Sequence, residues 1–270
     1  QCQPGGTIHP WTANGGNPYL EPWRAKAVDV AYEWYIDKSS YISVAGFYKH
    51  LDNYIYQQTQ AFDFAGLALP TTAVIPTGVT VSPIGQITQP ANGKGGKLYG
   101  FEVSGALGLG KLVPALDGFG ILGSYSYTKS ELHPTTSTNV KTIAATRIPG
   151  LSGTVYNITG YFEKWGFQAR ASYRYRSAFK GEVVQLFAAR GATEILADKQ
   201  LDAQLGYTFA EGSKLEGLSL LFQGNNLTDS PYRTRLGVDD GGARTSDGSA
   251  LPETYEKYGR QFLLGASYRF

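Results

Sequence analysis

The sequence has a single cysteine, no methionine and no uninterrupted apolar stretch near the roughly 18 to 20 residues that a membrane-spanning helix requires. Cys2 can close no internal disulfide, and without a second cysteine it says nothing about redox compartment. Charge of one sign is lacking too. The 24 Lys and Arg against 22 Asp and Glu leave a formal charge of +2, and no basic cluster stands out, so nucleic acid is not an expected partner. The three histidines, His9, His50 and His133, are far apart and have no carboxylate or cysteine at ligand spacing, so neither a metal nor a cofactor is expected. Nothing near Gln1 has the basic and then apolar pattern of a signal peptide, and the chain reads as a segment of a longer protein.

Glycine and tyrosine are abundant instead. With 34 Gly, 19 Tyr, 13 Phe and a mean hydropathy of -0.24, the chain is not greasy, so any crossing of a membrane must be done by strands of about 9 to 11 residues. Alternation of period two is visible in about nine segments: 25–36, 41–55, 97–110, 119–130, 153–163, 166–176, 199–209, 218–226 and 255–270. The phase of 41–55 cannot be read from its residues. Between 167 and 176, Phe167, Ala169, Ala171, Tyr173 and Tyr175 share one parity, while Gln168, Arg170, Ser172, Arg174 and Arg176 share the other. Facing hydrocarbon, each of the three arginines costs roughly 2 to 4 kcal/mol at mid-depth. They must therefore face water or protein, and the Phe, Ala and Tyr set must face something apolar, either lipid or the core of a soluble sandwich.

The connectors favour lipid. Asp37 to Ser40, Lys111 to Gly118, Glu163 to Gly166 and Ala210 to Gly217 are compact, whereas 57–96, 131–151, 177–198 and 229–254 are long. In an up-and-down meander every short turn falls at one end and every long loop at the other, as in outer-membrane barrels; Greek-key sandwiches mix them. Aromatic residues form two belts, with Tyr125, Tyr127, Tyr173 and Tyr175 at the long-loop end and Trp34, Phe162, Phe209 and Phe270 at the other. The last strand ends on Tyr268 and Phe270, the expected C-terminal signal for the barrel assembly machinery.

Several stretches then resemble the TonB-dependent outer-membrane receptors. They are Gly16-Asn17-Pro18-Tyr19-Leu20-Glu21-Pro22, Phe47-Tyr48-Lys49 with Asp52-Asn53-Tyr54-Ile55, Tyr99-Gly100-Phe101-Glu102, Ile148-Pro149-Gly150-Leu151-Ser152, Tyr173-Arg174-Tyr175-Arg176, Asn225-Asn226-Leu227-Thr228-Asp229 and Tyr258-Gly259-Arg260. Their order and spacing cover nearly the whole chain. The resemblance implies an all-β fold: an antiparallel up-and-down transmembrane β-barrel segment of about nine strands, the C-terminal portion of a 22-stranded barrel spanning 1–270. The plug and the remaining strands are not represented. It also implies a bacterial outer-membrane location among outer-membrane lipid, and energy-coupled uptake of a scarce small-molecule ligand such as a siderophore, cobalamin-like compound or carbohydrate. Coupling to the TonB energy-transducing complex would fall to an N-terminal region not in this sequence. A passive diffusion porin is the alternative, although 57–96 carries only Asp63 and Lys94 as charges for a constriction. A soluble β-sheet protein is a third reading.

No nucleophile, base and orienting group accompany one another, so no enzyme is expected. Gly118-Phe119-Gly120-Ile121-Leu122-Gly123 spells a dinucleotide fingerprint but precedes an alternating strand rather than a helix. Asp239-Asp240-Gly241-Gly242 reads as a turn before it reads as a calcium loop. The inward polar residues Glu102, Arg170, Arg174, Arg176, Asp202, Gln204 and Gln223 chiefly hydrate a lumen. Arg174 and Arg176, nearest the long loops, are the arginine candidates for contact with an anionic or polyhydroxylated ligand. Tyr54, Tyr56 and Phe62, near the rim of the first long loop, are the aromatic ones.

Overall fold

The structure is a computed structural model, and it describes residues 7–8, 11–68, 78–133, 147–186, 189–236 and 245–269. The chain divides into two compact units, one formed by Gln1–Lys26, His50–Lys97 and Leu132–Thr146, the other by Ala27–Lys49, Leu98–Glu131 and Arg147–Phe270.

Nine strands form one sheet: β1 (Ala25–Tyr35), β2 (Tyr41–Leu51), β3 (Gly96–Gly108), β4 (Phe119–Leu132), β5 (Thr154–Lys164), β6 (Phe167–Arg176), β7 (Asp198–Thr208), β8 (Leu218–Asn225) and β9 (Gln261–Tyr268). Their spatial order is their chain order, an uninterrupted meander. Register shows why one face of each strand is apolar. Ala171 lies between Gly160 and Ala203, and Tyr175 between Tyr156 and Lys199, while Arg174 lies between Asn157 and Gln200. The phase that the sequence left open in β2 is set by Tyr48, which stacks on Tyr99 at 6.5 Å on the apolar side.

That apolar face is uncovered. Ile158 is 54% exposed, Phe262 61% and Leu264 83%, whereas a sandwich would bury these side chains beneath a second sheet. Among the described residues no second layer covers this face. Rings form two bands on this face. Phe101, Tyr125, Tyr156 and Tyr175 follow one another at 5.8, 6.3 and 5.0 Å near the long connectors. Phe119, Phe162, Trp165 and Phe167 cluster at the short-turn end, with Phe119 and Phe162 at 4.6 Å.

Short turns have local causes. Between β5 and β6, Trp165 and Gly166 both adopt positive φ, 56° and 78°, which is the two-residue hairpin whose twist matches its strands. A Cβ at Gly166 would stand 2.3 Å from the Thr208 carbonyl oxygen. The nominal dinucleotide fingerprint is explained similarly. Gly118 closes a turn at φ 92°, Gly120 lies under the Tyr161 ring, 2.2 Å from where its Cβ would be, and Gly123 faces the Asn157 carbonyl. These glycines serve a strand, not a phosphate.

The structure departs from the expected boundaries at two strands. The segment 41–55 ends as β2 at Leu51, because Asp52 and Asn53 bind back to the N-terminal segment; Tyr54–Asp63 then begins a separate hairpin with Ile84–Gly93. The expected strand 255–270 begins only at Gln261, since Pro252–Glu256 pairs with Tyr232–Leu236 instead. Three of the long connectors thus carry strands of their own. In the first unit Thr12–Asn14 adds to the Tyr54–Asp63 hairpin; in the second, Phe179–Leu186, Ala189–Ile195, Tyr232–Leu236 and Pro252–Glu256 form a four-stranded sheet.

Candidate functional site

In the second unit the polar face of β6 to β9 ends, at the long connectors, in a cavity of about 960 Å³. The strands contribute Arg174, Arg176, Asp198, Gln200, Asp202 and Gln261, all from the polar parity, and the connectors add Phe179, Tyr232, Arg233, Glu256 and Tyr258. Alternation places these side chains together: each strand turns every second residue toward the same space, and register sets the pairs side by side.

Both arginines expected at a ligand site line this cavity, and both already have partners. Arg174 donates from one terminal nitrogen to Gln200 Oε1 at 2.7 Å and to Asp202 Oδ2 at 2.9 Å. Arg176 donates from Nε to Ser152 Oγ at 2.7 Å and from a terminal nitrogen to the Gly150 carbonyl at 2.9 Å, with its guanidinium 3.8 Å above the Phe179 ring. A guanidinium has five N–H donors, so each retains some for a ligand while its position is held. Glu256 accepts the Tyr258 hydroxyl hydrogen bond, and that bond, with the carboxylate's charge, holds the Tyr258 phenol above its ordinary range.

Asn226 organises the floor. It adopts a left-handed conformation, φ 51°, which asparagine tolerates better than most residues. Its Nδ2 donates to the carbonyls of Ser230 at 3.2 Å and Gly259 at 3.1 Å, its Oδ1 accepts from the Ser230 amide at 2.9 Å, and its own amide donates to Asp202 Oδ1 at 2.9 Å. The neighbouring residues clamp the same knuckle, Leu227 N to Leu201 O at 2.7 Å and Thr228 Oγ1 to Lys199 O at 2.8 Å. Asp202 therefore serves two masters, a guanidinium and a loop amide.

Tyr54, Tyr56 and Phe62 belong to the hairpin of the first unit. Tyr54 packs on Trp23 at 5.3 Å, and burial raises its phenol pKa. Phe62 meets Phe64 at 4.9 Å, which stacks on Trp11 at 5.6 Å. Asparagines again act as clamps here: Asn92 exchanges two hydrogen bonds of 2.9 Å with the backbone of Glu21, and Asn53 accepts from Arg24 N at 2.9 Å and donates to Pro22 O at 2.8 Å. Asp63 ends the first strand of this hairpin and Lys94 follows the second, and His50 lies 3.6 Å from Asp52. His9, Cys2, Phe270 and 239–242 lie outside the described residues. Tyr268 is opposite Leu218 on the apolar face.

The arrangement offers hydrogen-bond donors, acceptors and ring faces, which suits binding. Among the described residues no three His, Cys, Asp or Glu side chains gather as metal ligands. Sequence reading missed Asp198, Arg233, Glu256 and Asn226 as cavity residues. Their signals were present as a strand-end position for Asp198 and as the Asn225 to Asp229 motif for Asn226, but their convergence depends on register.

The family described as TonB dependent receptor-like, beta-barrel matches residues 4–227. The chain belongs to this family of TonB-dependent receptor barrels. No curated protein matches it in sequence. Among solved structures it is similar to the ferric enterobactin receptor PfeA from Pseudomonas aeruginosa in complex with enterobactin, with a TM-score of 0.58 at 13% identity over 94% of this chain and 32% of that one. The ferric citrate transporter FecA in its unliganded form gives 0.54 at 15% identity over 90% and 31%. The siderophore receptor PiuA from Acinetobacter baumannii gives 0.54 at 16% identity over 90% and 28%. The chain thus spans about a third of the length of these proteins. The likeness shows the barrel-wall fold of the nine strands, and the family match shows that the chain is part of a TonB-dependent receptor barrel.

Proposed function

We propose that this chain forms wall and extracellular loops of a bacterial outer-membrane receptor that takes up a scarce small molecule at the expense of energy relayed by TonB. The observation that carries the reading is the cavity on the polar face: it sits at the long-connector end, lined by strand ends and connector residues of the same unit, while the opposite face is bare and apolar. Residues 1–270 then supply the C-terminal strands of a 22-stranded barrel, and the plug, the remaining strands and the TonB-contacting segment belong to other parts of the protein. Arg174, Arg176 and the connector residues Tyr232, Arg233 and Tyr258 offer the ligand contacts, with Tyr54, Tyr56 and Phe62 on the other loop hairpin. A siderophore, a cobalamin-like compound or a carbohydrate fits these donors and rings. Tyr268 and Phe270 serve as the signal read by the barrel assembly machinery.

Uptake by cells expressing the full-length protein tests this. With radiolabelled ferric citrate, ferric enterobactin, cobalamin and maltooligosaccharide offered separately, saturable uptake of one of them is expected, abolished when the proton-motive force is collapsed or TonB is deleted. Uptake that is linear in concentration and indifferent to both treatments would instead establish a passive porin.

A further inference from the structure

Cations gather beside the Asn226 knuckle on the apolar side of the sheet. Lys199 opposes Tyr175 and therefore shares the lipid-facing parity, and its side chain is exposed. Arg260, also exposed, directly precedes β9 and donates from Nε to the carbonyl of Leu227 at 3.0 Å. Since Thr228 Oγ1 bonds to the Lys199 carbonyl at 2.8 Å, adjacent residues of one turn hold the backbone of Lys199 and the guanidinium of Arg260 at the knuckle. Leu227 folds onto this face as well: its Cδ2 stands 2.9 Å from where a Cβ of Gly224 would be, with the Phe262 ring at 3.3 Å. Asp229, the carboxylate of the turn, is taken by Lys257 at 2.7 Å, and among the described residues neither Lys199 nor Arg260 forms an ion pair.

Below the cations runs an apolar track. Phe222 and Phe262 stack at 6.1 Å with their planes 7° apart, and Leu264 and Leu205 are open beside them. An uncompensated ammonium on a lipid-facing strand is costly in hydrocarbon, whereas at the rim the side chain reaches the headgroup layer and is stabilised by negative charge there. Two cations over a hydrocarbon-lined track match a molecule with an anionic head and acyl tails.

We propose that Lys199 and Arg260 bind the phosphate headgroup of an anionic lipid at the long-loop rim of the membrane, its acyl chains lying along Phe262, Leu264 and Phe222. The inference rests on the reading of this face as membrane-embedded. It assigns a specific lipid site outside the lumen and independent of the transported solute.

Native mass spectrometry of the full-length protein, delipidated in detergent and titrated with dioleoylphosphatidylglycerol or dioleoylphosphatidylcholine, tests it. One cation near an anionic lipid surface is worth roughly fivefold in affinity. The wild type should prefer the anionic lipid, and Lys199→Gln with Arg260→Gln should weaken that lipid by about tenfold or more while leaving phosphatidylcholine unchanged. The charge-conserving Lys199→Arg with Arg260→Lys should keep the preference, which separates charge from misfolding. Equal binding of both lipids by the wild type, or undiminished binding of phosphatidylglycerol by the glutamine variant, overturns the lipid site alone. Displacement of phosphatidylglycerol by inorganic phosphate makes this a small-anion site and also overturns it. Uptake of neither lipid overturns the membrane reading as well.

Discussion

Replacing Asn226 by alanine is expected to destabilise the protein by about 3 to 5 kcal/mol, among the largest effects of any single loop substitution. Four side-chain hydrogen bonds disappear, to Ser230 O, Ser230 N, Gly259 O and, at 3.4 Å and so the weakest, Thr228 Oγ1, and each well-formed bond contributes on the order of 1 kcal/mol net. Alanine must also hold φ near 51°, which costs roughly 1 to 2 kcal/mol for a residue with a Cβ and no local hydrogen bond to offset it. Asn226→Gly should recover the backbone part and lose the bonds, and Asn226→Asp should keep the acceptor toward Ser230 N but lose both donors. The ordering wild type, then Asp or Gly, then Ala can be read from denaturant unfolding of the full-length protein in detergent, followed by tryptophan fluorescence. An alanine variant within about 0.5 kcal/mol of wild type, the usual effect of a surface substitution, would show that the knuckle is held by its neighbours alone.

The second large effect is expected at Ala171. Flanked by Gly160 and Ala203, it lies at the centre of the apolar face, away from both ring bands. Ala171→Arg should cost about 2 to 4 kcal/mol in lipid, because no water or carboxylate is available there. Ser172→Arg, one residue along and on the polar face, loses only its 2.8 Å hydrogen bond with Thr159, worth about 1 kcal/mol. Comparing the two variants in the same bilayer separates a lipid-facing position from mere intolerance of bulk. A soluble protein with a covered core would penalise Ala171→Arg as well, but in that case the penalty would persist in detergent-free buffer, where the barrel wall has no stable state.

Strands β5 and β6 were legible nearly to the residue, 153–163 and 166–176 expected against Thr154–Lys164 and Phe167–Arg176 found. Their alternation is strong because one face is apolar and the other polar, so composition differs sharply between parities. The strand Ile84–Gly93 was not legible. Both of its faces are mixed, it contains Pro90 and Asn92, and its pairing partner lies in Tyr54–Asp63. The motifs that carried the family resemblance were visible as patterns but not as mechanics: Asn92 holds Glu21 across 71 positions and Asn53 holds Arg24 across 29, contacts that no local spacing announces.

The candidate site follows the same division. Inward parity alone pointed to Arg174 and Arg176, and register then supplied what parity could not, the pairing of Arg174 with Asp202 and of Arg176 with Ser152 and Gly150. Connector residues such as Tyr232 and Glu256 reach the cavity only because their strands pair with each other, an event set by contacts distant in sequence.

The account depends on which side of β6 meets acyl chains. In a Cys2→Ser background, the full-length protein carrying a spin label at residue 171 or 172 and reconstituted in bilayers decides this by relaxation with oxygen, which partitions into lipid, against a nickel chelate, which stays in water. The account predicts that the label replacing Ala171 relaxes with oxygen and is shielded from the chelate, and that the label replacing Ser172 shows the reverse or is shielded from both by the lumen contents. A label at 171 open to the chelate and closed to oxygen would contradict the orientation of the sheet, and with it the membrane wall, the cavity's place in a lumen and the proposed transport.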